Sequence, residues 1–109
     1  MVTLNIKNLK EVEEPYRNEV EKICKEKITF FQDLFKKYDK DLTVEIIFNH
    51  SSSTYIVSSS INLKSKKVLI AEEGKDVVKV TSKLLNEFKK AVKRQYELER
   101  KDYLYKRKR

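Results

Sequence analysis

Few side chains in this sequence have the type and spacing that bond-making chemistry needs. The chain has one cysteine, Cys24, and one histidine, His50. A thiol and an imidazole make a nucleophile only when the base lies within hydrogen-bond reach. Cys24 instead belongs to the series Val20, Cys24, Ile28, Phe31 and Phe35, whose helical spacing marks a core thiol. His50 closes an alternating stretch and reads as a loop residue. A single histidine leaves no pair for a metal site. The acid pairs Glu13–Glu14 and Glu72–Glu73 read as helix-start or surface charge, and one glycine cannot build a phosphate-cradling loop. The expectation is a protein that is not an enzyme, with no metal, no cofactor and no small-molecule substrate.

What remains is positive charge, and it is unevenly spread. Thirteen of the 25 cations and five of the 17 anions lie from Lys75 onward, so this closing stretch carries the whole surplus of +8. Residues 1–74 hold twelve of each sign and cancel. Such asymmetry within one small domain points to a polyanionic partner.

The elements that position these charges follow from periodicity. "VTLNIKNL" alternates Val2, Leu4 and Ile6 with polar residues, the period of a half-buried strand. "EVEEPYRNEV" opens a helix, with Pro15 in the first turn and Glu11, Glu13 and Glu14 at its positive end. Its apolar spacing carries it to about Tyr38, where "DKD" breaks it. "LTVEIIFNH", "SSSTYIVSSSINL" and "KKVLIAEE" read as three further strands, joined by the short links "HSSS" and "KSKK". "GKD" then opens the last helix. The reading is an α+β domain of order β-α-β-β-β-α over residues 1–109, a four-stranded sheet with two helices packed on one face. Residues from about Arg100 to Arg109 form a basic, flexible tail.

Along the last helix Val77, Val80, Leu84, Phe88 and Val92 form one stripe. With Val77 at zero and about 100° per residue, Leu84 and Phe88 fall near 340° and 20°, while Lys79, Lys83, Lys90 and Lys93 fall between about 160° and 240°. The stripe faces the sheet and the cations form an outward ridge. Like charges at this spacing repel by a few tenths of a kcal/mol per pair, and phosphates would relieve that cost. Phe30, Phe31, Phe35, Phe48 and Phe88 fall at core spacing, and there is no base-stacking aromatic motif. Tyr96, Tyr103 and Tyr105 are interleaved with cations and stay open to either role.

Several stretches resemble the ribosome hibernation promoting factors, also called ribosome-associated translation inhibitors, in their short form. "AEEGKDVVKV" is similar to that family's strand ending in Ala-Glu, a turn carrying Asp, and a helix start. Phe88, Val92, Lys90 and Arg94 fall on its helical pattern, and "LNI", Arg17, Val20 and Phe30–Phe31 on its first strand and helix. Glu87, Ala91 and Ile23 depart from it, each standing where the family has Lys or Gln, and the glycine after the first strand is absent.

The resemblance implies binding to the small ribosomal subunit, on 16S ribosomal RNA near the decoding centre, where mRNA and tRNA are excluded and translation stops. The RNA-binding residues it implies, with the charge map, are Lys22, Lys25, Lys79, Lys83, Lys89, Lys90, Lys93, Arg94, Arg100 and Lys101. The alternatives are a stand-alone double-stranded RNA binder and a module docking its last helix on an acidic protein. The lone cysteine fits a reducing, cytoplasmic setting. No apolar run reaches the roughly 20 residues of a membrane span, and the N-terminus lacks a signal peptide's layout. The free protein is expected to be monomeric. The thinning of the apolar stripe past Tyr96 assigns the tail to affinity and not to fold. Truncation after Glu99 should therefore leave the melting temperature unchanged while weakening RNA binding. Calorimetry and a binding titration check this, and a collapse in melting temperature would contradict it.

Overall fold

Alternation of apolar and polar residues produces four strands, and two amphipathic stretches produce the helices that cover them. The computed structural model describes residues 1–107, with side chains for residues 1–101. The elements are β1 (Val2–Lys7), α1 (Glu14–Leu34), β2 (Leu42–Ser51), β3 (Thr54–Asn62), β4 (Lys67–Gly74) and α2 (Val77–Arg107), with a single 3-10 turn at Leu9–Glu11. The order is β-α-β-β-β-α, as the periodicity predicts. The strands lie in the order β1-β2-β3-β4. β1 runs parallel to β2, with Leu4 opposite Val44. A parallel neighbour needs a crossover, and α1 supplies it. β2, β3 and β4 follow as antiparallel hairpins.

One face of the sheet is the core. Leu42, Val44, Ile46 and Phe48 of β2 point inward with Tyr55, Val57 and Ile61 of β3 and Val68 of β4, and all are buried. The helices meet them with Val20, Cys24, Phe31 and Phe35 from α1, and Val77, Val80, Leu84, Leu85, Phe88 and Val92 from α2. The opposite face bears Thr3, Thr43, Asn49, Ile56 and Leu69, which are exposed, and a Lys7–Glu45 ion pair at 3.1 Å.

Three local devices set the connections. Ser52, in the tight β2–β3 turn, takes φ 56°, the left-handed conformation such a turn needs. Asp76 caps α2: its Oδ1 accepts the N–H groups of Val78 (3.1 Å) and Lys79 (3.2 Å). Gly74 is required by close approach, because a Cβ there would lie 2.8 Å from Cγ2 of Val80. α1 ends at Leu34, not near Tyr38. Phe35 leaves helical geometry, and the chain turns so that the rings of Phe35 and Tyr38 reach α2.

That turn extends the packing further along α2 than the apolar stripe implies. Tyr96 packs on Phe35 (ring centroids 4.8 Å) and Tyr38 (5.5 Å). Tyr38 Oη donates to Glu99 Oε1 at 2.7 Å and accepts the Lys64 N–H at 2.9 Å. Glu99 Oε2 accepts the Ser65 N–H (3.1 Å) and hydroxyl, while Gln95 donates to the same hydroxyl. One carboxylate thus ties α1's end, the β3–β4 loop and α2 together. The helix continues to Arg107, and the closing cations Lys106 to Arg109 lie outside the residues whose side chains are described.

Two outcomes follow from this tie. Replacing Glu99 by Ala strands three hydrogen bonds and should cost about 1–2 kcal/mol, measured by denaturant unfolding. Desolvation pushes the Tyr38 phenol from its ordinary 10.0 up to about 12, with the Glu99 bond adding to the rise and the Lys64 N–H opposing it. The folded state therefore favours the neutral phenol. Its contribution is fully present below pH 10 and is lost as pH rises toward 12. Tyr38→Phe should flatten that alkaline loss in a pH series of melting temperatures.

Candidate nucleic-acid interface

The interface is built on α2, because the sheet buries one side of that helix and leaves the other to carry charge. Val77, Val80, Leu84, Phe88 and Val92 are buried, while Lys79, Lys83, Asn86, Lys90 and Lys93 lie on the opposite side, toward solvent. The ridge expected from spacing is present. Its members differ in how free they are. Lys83 reaches back to Glu72 of β4 at 3.3 Å, and Lys90 leans toward Glu87 at 3.9 Å. Lys79, Lys93, Arg94, Arg100 and Lys101 have no carboxylate partner among the described residues. Together with Lys89, these are the α2 cations left without a carboxylate partner among the described residues.

The flanks of α2 face different neighbours. Lys89 turns toward α1, its amine 4.5 Å from the centre of the Phe30 ring. Arg94 lies on the other flank, the one that Lys83 and Val80 place over β4. Arg100 rests 5.8 Å from the Tyr96 ring centre.

On α1 the signs alternate. Lys22 pairs with Glu26 (4.0 Å) and Lys25 with Glu21 (3.6 Å). Lys25 is on the flank whose Gln32 bonds the Val2 carbonyl of β1, away from α2. The structure thus leaves Lys22 pointing to solvent from α1 and sets Lys25 apart from the ridge. Lys27 does face α2, donating to Asn86 at 3.2 Å across the seam between the helices. Sequence spacing places Lys27 beside the apolar stripe and so hides it. Its stem is half-buried while its amine reaches the surface. Arg17 is committed elsewhere: its guanidinium donates to the carbonyls of Val12 (2.8 Å) and Lys10 (2.9 Å), holding the 3-10 turn against α1.

The sparse bond-making candidates stay apart from this surface. Cys24 is buried, and desolvation with the nearby Glu21 charge pushes its thiol up to about 12, far from a reactive thiolate. His50 lies flat on Tyr55, rings 3.9 Å apart and 7° from parallel. Among the described residues no three His, Cys, Asp or Glu converge as metal ligands, and no helix is long and apolar enough to cross a membrane.

This arrangement, a four-stranded mixed sheet covered on one face by two helices, has solved counterparts. The N-terminal domain of Thermus thermophilus Protein Y is similar at 21% identity, over 84% of this chain and 93% of that one, with a TM-score of 0.56. A ribosomal subunit interface protein from Coxiella burnetii is similar at 16% identity, over 88% and 99%, with a TM-score of 0.52. At these identities the likeness establishes the fold. No protein-family model and no curated protein sequence matches the chain.

Because Lys79 and Lys93 point to solvent without a carboxylate partner among the described residues, reversing both to Glu should weaken binding to structured RNA. The salt dependence should flatten by about 0.7–0.9 in logarithmic slope for each phosphate no longer engaged. The melting temperature should barely move, since exposed charges contribute little to stability. Titrations at several salt concentrations check this, and an unchanged slope would exclude the ridge.

Proposed function

We propose that this protein is a ribosome hibernation factor. It binds the small ribosomal subunit through 16S ribosomal RNA near the decoding centre, occupies the space of mRNA and tRNA, and stops translation in idle cells. The observation that carries this reading is the unspent cationic side of α2, held rigid on a fold shared with a ribosomal subunit interface protein. Folded RNA is recognised mainly by shape and backbone. A broad, stiff, basic surface suits that mode. The contacts assigned to the subunit are Lys79, Lys83, Lys90 and Lys93 from the ridge, Lys89 and Arg94 from its flanks, and Arg100 and Lys101 beyond. Lys22 and Lys25, each paired with a glutamate on α1, contribute from outside the ridge. This reading places the protein in the cytoplasm, on ribosomes.

A stand-alone duplex-RNA binder is the weaker alternative. Its usual α-β-β-β-α order has no counterpart of β1, which here pairs with β2 along its whole length. Co-sedimentation separates the readings. The chain should pellet with purified small subunits, be released by salt, and prefer them to large subunits and to plain duplex RNA. Added to a cell-free system, it should lower protein synthesis in proportion to its occupancy. Equal binding to duplex RNA and small subunits would favour the alternative.

A further inference from the structure

The two edges of the sheet are finished differently. On β1, Gln32 of α1 donates to the Val2 carbonyl and covers part of the edge. On β4, no side chain among the described residues bonds the free edge. β4 is also eight residues long, has no proline, and turns its inward-facing acid Glu72 aside to Lys83. An uncovered strand of this kind is a template for another strand.

We infer that a second copy of this chain pairs with it there, β4 against β4, about a two-fold axis through Ile70. The self-complementarity of β4 carries the inference. In antiparallel pairing about Ile70, Lys67 stands opposite Glu73 of the other copy and Leu69 opposite Ala71, each pair occurring twice. Lys67, Leu69, Ala71 and Glu73 all lie on the open face of the sheet, and all are exposed. Neither Lys67 nor Glu73 has an ion-pair partner among the described residues.

The helix above the edge independently agrees. α2 packs over β3 and β4. Strands about 4.8 Å apart then set the two copies of α2 about 10 Å from each other, the spacing of packed helices. The flank that α2 turns toward the axis is the one bearing Val80 and Lys83, and by helical spacing it also bears Glu87, Ala91, Arg94 and Leu98. Val80 sits against Gly74. Ile70 lies about 13 Å back along β4, or about nine residues further along an antiparallel helix, close to position 89. An axis there brings Glu87, whose carboxylate lies 3.9 Å from Lys90 of its own helix, opposite Arg94 of the other copy, again twice, with the small Ala91 between. Leu69 and Leu98, two of the exposed large apolar residues, are 59% and 50% exposed and flank this contact. The cationic ridge points away from the sheet on both copies, so the dimer presents two ridges side by side. Such a dimer departs from the free monomer expected from sequence, and it does not depend on the ribosomal reading.

Sedimentation equilibrium of the full chain, without RNA and at physiological salt, tests the inference. A dimer of twice the 13.0 kDa chain mass is expected at micromolar concentrations. Lys67→Glu or Glu73→Lys alone should raise the dissociation constant about tenfold or more, because each change acts at two symmetric places. Combining the two should restore it. Circular dichroism shows whether each variant is folded, and Glu87→Arg with Arg94→Glu repeats the exchange at the helices should the strand variants fail to fold. A chain that stays monomeric throughout, or a double exchange that does not recover the affinity of the unaltered chain, would overturn the inference.

Discussion

The fold depends on the contact between Phe31 of α1 and Phe88 of α2, whose rings are tilted with centroids 5.4 Å apart and almost no exposure. It seats both helices side by side over one sheet face and closes the core. Around it the same seam continues outward, with Phe35 against Tyr96 and Lys89 over Phe30. Large aromatic side chains bury much area and prefer such tilted pairings. With α2 held along one stripe by this packing, its opposite side is free of any structural duty. That freedom is what allows the helix to carry a ridge of lysines.

The distribution of charge follows the same division. On α1, Lys22 and Lys25 each have a glutamate one turn away, so the helix surface is nearly neutral. On α2, Glu87 leans on Lys90 and Glu97 is exposed among the cations, while Glu72 of β4 reaches Lys83 and Glu99 is turned into contacts with Tyr38 and Ser65. Glu99 lies among the cations in sequence, but its carboxylate is turned to Tyr38 and Ser65. Local self-repulsion is tolerated because the aromatic seam, and not the helix surface, supplies the stability of α2.

The elements were legible in the sequence because each has a clear period and both hairpin links are short. Val2–Lys7 alternates, Val77–Val92 repeats at helical spacing, and Asp76 stands where a cap belongs. The ridge of Lys79, Lys83, Lys90 and Lys93 was legible for the same reason, since a helix buried on one side fixes what points outward. The fate of Cys24 followed from its place on an apolar stripe.

Other features were set by contacts between residues far apart in sequence, which no local period reports. α1 stops at Leu34 because Tyr38 and Phe35 pack on Tyr96, a partner far along the chain and invisible from either end. Lys27 joins the surface because Asn86 lies across the seam, while Lys25 is set apart because its flank faces β1. The sequence alone determined the elements, the core stripe and the sign of the outward face, since these depend on spacing within one segment. Only the tertiary structure decided which cations are already paired, which acids are withdrawn, and which strand edge is left open, because each depends on what another segment brings alongside.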